Sequence, residues 1–138
     1  MSNVSATQVN FLMPGGLARG PALVALTRGG TVVAAVPINI GRVAPGLFAA
    51  TQVVYGEGGK AHLVLYGTGI RNRSASEAVL CNINGASFPV AYAGAQGDFA
   101  GLDQVNVLLP ADLGAGSKLN VSLTVDGQES NLITVAMP

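Results

Sequence analysis

The chain has 138 residues, room for one domain or one and a half small ones. Hydrophobic residues make up 49% and charged residues 10%, against about a quarter in an ordinary globular chain, and seven basic side chains offset seven acidic ones. That balance excludes nucleic acid and an anionic membrane surface as partners, since both need a basic excess, and it leaves little self-repulsion to oppose association between copies.

The N-terminus, Met1-Ser2-Asn3-Val4-Ser5, carries neither a charged nor a long apolar region. No signal peptide is legible in it, so an exported form would be a mature piece or an excised module. No apolar run reaches the roughly 18 residues of a membrane-spanning helix. The first apolar run, residues 8–14, ends in Pro14, and a single helical turn is expected at Gly16-Leu17. Residues 22–27 and 31–40 read as strands joined through Gly29-Gly30. Residues 42–48 hold Pro45 and Gly46 as turn formers and Leu47 and Phe48 as apolar anchors, which describes a docked connector. Strands are expected at 52–55 and 62–66 across Gly58-Gly59, and at 78–83 and 87–92 across Asn84-Gly85. A second helical turn is expected at 111–113. Leu119-Asn120-Val121-Ser122-Leu123-Thr124-Val125 alternates strictly, the mark of a half-buried strand. Asp126-Gly127 then turns the chain into a return strand at about 131–137. Pro37 and Pro89 belong at edges or bulges, because proline cannot donate to a ladder.

One segment is written twice. Gln8-Val9-Asn10-Phe11-Leu12-Met13-Pro14 recurs as Gln104-Val105-Asn106-Val107-Leu108-Leu109-Pro110, with seven identities in the thirteen positions from 8 to 20. After a one-residue slip the match resumes at Val24/Val121, Leu26/Leu123, Thr27/Thr124 and Gly30/Gly127. A repeat of this kind is one supersecondary unit used twice. The expected fold is therefore all-β: residues 49–138 form an immunoglobulin-like sandwich of about seven strands, and residues 5–48 form a three-strand half-repeat with its connector. A fragment of three strands must bury its face on something else.

Chemistry is sparse. The lone Cys81 forms no internal disulfide and reads as an inert strand thiol. The lone His62 falls short of the ligand count of a zinc site, and no nucleophile-elbow context surrounds Ser74 or Ser76. No enzyme, metal or cofactor is expected. Gly67-Thr68-Gly69-Ile70-Arg71-Asn72-Arg73 suits an anion or a carboxylate, or else forms a turn whose arginines pack on neighbouring loops. No helix pattern follows it, so a phosphate-loop reading fails. Asp98 and Asp103 flank a loop that would either take a cation or simply cap turns. Tyr55, Tyr66 and Tyr92 with Phe48 and Phe99 would either line a sugar platform or pack in the core, and the lack of Trp favours packing. These five, Arg71, Arg73, Tyr92, Asp98 and Asp103, are the candidate ligand residues. The repeated polar positions, Gln8 and Asn10 with Gln104 and Asn106, are expected to satisfy loop backbone groups in preference to a ligand, and Pro14 and Pro110 complete the repeated structural segment.

Residues 8–14, Ala44-Pro45-Gly46-Leu47-Phe48, Leu65-Tyr66-Gly67-Thr68-Gly69-Ile70-Arg71, Ala91-Tyr92-Ala93-Gly94, Gly101-Leu102-Asp103-Gln104-Val105-Asn106, Asp126-Gly127 and Ser130-Asn131 follow one another in an order that resembles the Solibacter-type C-terminal domain family, a module at the ends of large secreted acidobacterial proteins. The second unit is also similar, more loosely, to IPT/TIG immunoglobulin-like domains. The resemblance implies a noncatalytic, extracytoplasmic β-module and brings no catalytic residues. The expectation is a structural or interaction module of a secreted or cell-surface bacterial protein, its partners other copies of itself or other surface proteins, assembling by strand or sheet completion. The alternative is a carbohydrate or cell-surface ligand module using loops 67–73 and 94–102.

Overall fold

A computed structural model describes residues 3–138. The chain is all-β, with several antiparallel sheets and no α-helix among the described residues. Its strands are β1 (Asn3–Val4), β2 (Val9–Asn10), β3 (Gly20–Arg28), β4 (Thr31–Ile40), β5 (Gly46–Tyr55), β6 (Ala61–Thr68), β7 (Val79–Ile83), β8 (Ala86–Pro89), β9 (Tyr92–Ala95), β10 (Asp103–Leu108), β11 (Lys118–Val125), β12 (Gln128–Glu129) and β13 (Ile133–Ala136). Single 3-10 turns lie at Glu57–Gly59 and Ser76–Ala78. The positions expected to be helical after Pro14 and Pro110 are plain turns, too short to close a helical hydrogen-bond ladder.

The chain divides into two compact units, one ending at Arg42 and one of Val43–Pro138. The division lies at 42/43 instead of the expected 48/49. The end of the expected connector is already strand: Gly46 and Leu47 pair with Thr68 and Gly67 of β6. A bulge between Leu47 and Thr51 then resets the register for the rest of β5.

In the second unit, β5-β6-β10-β9 form one sheet; β12-β11-β7-β8 form the other, with β13 also on β11. Alternation places one apolar set from each sheet inside. Leu63, Leu65, Val105 and Val107 come from the first sheet, and Val79, Cys81, Ile83, Leu119, Val121, Leu123 and Val125 from the second; all join one buried cluster. The two sheets thus pack as a β-sandwich. Asn84 and Asp126 hold φ of 50° and 47°, each followed by a positive-φ glycine, as two-residue hairpins require.

Two glycines open the way for a close crossing. A Cβ on Gly67 would stand 2.2 Å from the Gly46 carbonyl oxygen, and one on Gly69 would stand 2.0 Å from that of Ala44. Gly69 also holds φ of +74°, and its carbonyl accepts the Ala44 N–H at 3.0 Å. The Gly-Thr-Gly sequence is therefore demanded by backbone contact.

In the first unit, β1 pairs with β2, and β3 with β4. The β3–β4 hairpin turns through Gly29 and Gly30, both at positive φ. Its register repeats that of β11–β13. Val24↔Val36 corresponds to Val121↔Ile133, Ala22↔Ile38 to Leu119↔Val135, and Leu23↔Pro37 to Asn120↔Thr134. Even the irregularity recurs: Thr27↔Val32 and Arg28↔Thr31 match Thr124↔Glu129 and Val125↔Gln128. Pro37 lies on an edge strand, as expected.

Candidate functional site

The register of β10 against β6 and β9 sets Asp103 opposite both Gly67 and Ala95. Loops 69–73 and 96–102 therefore meet at one end of the sandwich. There the structure joins two of the five candidate residues. Asp103 is 1% exposed. Its Oδ2 accepts the backbone N–H groups of Ile70 at 2.8 Å and Arg71 at 3.1 Å. Its Oδ1 accepts Arg71 Nε at 2.6 Å. Arg71 Nη2 donates to the Leu102 carbonyl at 2.8 Å. A buried carboxylate persists only with this much compensation. The Gly-Thr-Gly-Ile-Arg loop does hold a carboxylate, and that carboxylate is the protein's own.

Of the other three, Arg73 touches this pair only through the Arg71 backbone, and Tyr92 and Asp98 are held separately. Arg73 donates through Nη1 to the Arg71 carbonyl at 3.3 Å, and its Nε is buried with no partner among the described residues. Tyr92 turns its hydroxyl back to the Ala95 carbonyl at 2.6 Å. Asp98 accepts Gln96 Nε2 at 3.1 Å, while Gln96 Oε1 takes the N–H groups of Asp98 and Phe99. Asp98 and Asp103 thus serve different turns. Among the described residues no group of three or more His, Cys, Asp or Glu side chains clusters as metal ligands would.

The repeated polar pairs make the same bond twice. Gln104 Nε2 donates to Asn106 Oδ1 at 2.9 Å, and Gln8 Nε2 to Asn10 Oδ1 at 2.6 Å. A spacing of two sets both amides on one strand face, where they reach each other. The expected service to loop backbone is instead performed by Asn131. Its Oδ1 accepts Leu47 N–H at 2.7 Å and its Nδ2 donates to the Leu47 carbonyl at 3.0 Å. One side-chain amide thereby replaces a strand neighbour for β5. Ser130 supports it, its Oγ accepting the Leu123 N–H at 2.8 Å and donating to the Asn131 carbonyl at 2.9 Å. Asp126 likewise accepts the Ser74 N–H at 2.9 Å. These residues stood out in the sequence only as turn and Ser-Asn patterns, with no role attached.

The recesses lie elsewhere. One of about 370 Å3 is lined by Tyr55, Lys60, Leu109, Pro110, Leu113 and Met137 among others. Another of about 570 Å3 lies among Asn82, Asn84, Asn120 and Ser122 on the outer side of the second sheet. Neither includes any of the five candidate ligand residues. Cys81 is fully buried, and desolvation pushes its thiol up from 9.0 to about 12, which keeps it protonated and unreactive at neutral pH.

The first unit exposes many of its large apolar side chains. Val9, Phe11, Leu12, Met13, Leu23, Leu26 and Val36 are all exposed. Phe11 is 52% exposed where its repeat partner Val107 is fully buried; Leu26 is 42% exposed where Leu123 is fully buried. Isolated exposed hydrophobes are ordinary; this many in one short segment are not. No family model matches the chain, and neither a curated protein nor a solved structure is similar enough to match it.

Proposed function

We propose that this chain is a noncatalytic structural and interaction module of a secreted or cell-surface bacterial protein, that its second unit is an immunoglobulin-like sandwich, and that its first unit is the part that associates. The observation that carries the reading is the repeated hairpin. The same register occurs twice, once with its apolar side chains inside a closed core and once with Leu26 and Val36 exposed and Ala22, Val24 and Ile38 half-buried. A surface built from core positions lowers its free energy when another protein surface covers it. The zero net charge leaves little repulsion to keep copies apart. On the other side, the polar loops of the second unit spend their ionic groups on each other, so they support the module's own fold more than a ligand.

The test is size-exclusion chromatography with light scattering over a wide concentration range. Association that grows with concentration is the expected result. A monomer at every concentration would count decisively against an assembling role.

A further inference from the structure

We infer that the recess on the outer face of the second sheet is a subsite for one ring of a neutral glycan. The site goes beyond the association of the first unit and does not depend on it.

The backbone builds the recess. On β11 the pairing passes from Thr124↔Glu129 to Val121↔Ile133, so residues 130–132 stand opposite only Ser122 and Leu123. The extra residue is a bulge, and it interrupts the ladder beside Ser122. Ser122, 6% exposed, is left at the floor of a recess of about 570 Å3 that is lined also by Asn82, Asn84, Asn120, Glu129 and Leu132. That volume falls within the range of small-molecule sites.

The hairpin itself does not demand a polar lining. The first unit repeats the bulge, with Leu26↔Ala34 followed by Thr27↔Val32. There Leu23, Ala25 and Pro37 stand where the second unit has Asn120, Ser122 and Thr134, and Val32 stands where it has Glu129. The same backbone is thus built with apolar side chains in one copy and hydrogen-bonding ones in the other.

The polar side chains fix one another in place. Asn82 Nδ2 donates to Thr124 Oγ1 at 3.0 Å and to Ser122 Oγ at 3.4 Å, while Ser87 Oγ donates to Asn82 Oδ1 at 2.7 Å. Asn84 Oδ1 accepts the Asn120 N–H at 2.9 Å, and Asn120 Oδ1 accepts the Thr134 hydroxyl at 3.4 Å. An Asn amide keeps its Nδ2 donors when its Oδ1 is engaged. Among the described residues nothing accepts from Nδ2 of Asn84 or Asn120, and Glu129 has no ion-pair partner. The recess therefore offers two preorganised donors, a carboxylate acceptor and, in Leu132 at 65% exposed, an apolar contact.

That set selects the ligand. A sugar hydroxyl accepts from an amide N–H and donates to a carboxylate at once, and the C–H face of the ring covers an aliphatic side chain. Anions are disfavoured, because the lining holds no Lys or Arg and Glu129 is negative. A divalent cation such as calcium needs about six oxygens or more, whereas the Oδ1 atoms of Asn82, Asn84 and Asn120 already accept protein donors. An extended peptide finds no strand edge at the floor, since β11 is paired on both sides. With no aromatic ring in the lining, a single sugar ring binds weakly, with a Kd in the millimolar range.

The experiment is amide-resolved NMR of the full chain, titrated with maltohexaose, mannohexaose and xylohexaose beside calcium chloride and trigalacturonate. The expected result is saturable shifts from at least one neutral sugar and none from calcium or the acidic trisaccharide. The shifts should be confined to residues 82–84, 120–122 and 129–132 and include the side-chain amides of Asn84 and Asn120. Asn120→Ala and Glu129→Ala should each weaken binding roughly fivefold or more, with spectra that remain those of the folded chain. The shift map of the unmodified chain decides the matter even where a variant unfolds. No shift from any of the three neutral sugars overturns the inference, as do shifts centred on loops 67–73 and 94–102, or unaltered affinity in both folded variants. A response to calcium or trigalacturonate alone overturns the ligand chemistry. None of these outcomes bears on the association of the first unit, which light scattering of the sugar-free chain reads separately.

Discussion

The β3–β4 and β11–β13 hairpins are one design in two settings. They share register, turn position and bulge, yet Val121 and Ile133 lie in a core while Val36 lies open. The difference is in what surrounds them. β11 has β7 on its other edge and β6 and β10 across the sandwich; among the described residues β3 pairs only with β4. Local sequence therefore suffices to fix a hairpin and its register, and burial comes from strands elsewhere in the chain.

The comparison is broken most forcefully by truncating matched positions. Leu123→Ala is expected to lower stability by about 3 kcal/mol, whereas Leu26→Ala in dilute solution is expected to cost less than about 0.5 kcal/mol, both read by denaturant unfolding. Equal losses would mean that the first unit has a closed core of its own. Next comes the ionic lock, which the first unit lacks, since Thr7 stands where the repeat has Asp103. Asp103→Ala strands the buried Ile70 N–H and should cost about 2–4 kcal/mol, while Arg71→Ala, whose guanidinium is partly solvated, should cost about 1 kcal/mol. An Arg71→Ala loss as large as that of Asp103→Ala would shift the weight of the lock from backbone capping to the ion pair.

A smaller effect is expected at Asn131, whose place in the hairpin is taken by Ala34 in the first unit. Asn131→Ala removes both bonds to Leu47 and should cost about 1–2 kcal/mol, with faster hydrogen exchange at the start of β5 as its local signature. The smallest effect at neutral pH belongs to Cys81. Its thiol titrates higher folded than unfolded, so its contribution to stability is full below pH 9.0 and is lost as pH rises toward about 12. A Cys81→Ala variant should lack that alkaline component, and the native thiol should resist alkylation at pH 8 until the chain is unfolded. Rapid alkylation of the folded protein would place the thiol nearer to solvent than a closed core allows.

Much of the fold was written in the sequence. Strict alternation in residues 119–125, the Asp126-Gly127 and Asn84-Gly85 turns and the repeat itself depend on neighbours in sequence, and each appeared where the pattern put it. The candidate site was legible only in part. Arg71 was a plausible anion holder, but Asp103, 32 positions away, is brought to it by the pairing of β6 with β10, which no local pattern encodes. Asn131 was missed for the same reason: its partner Leu47 is 84 positions distant.

By itself, then, the sequence determined the β class, the turns, the hairpin register and the absence of a charge bias, because side-chain period, backbone sterics and composition act locally. Tertiary structure alone decided which copy of the repeated hairpin is buried and that the arginine loop serves an internal carboxylate. Burial and ion pairing depend on contacts between residues far apart in the chain, and only the folded arrangement creates them.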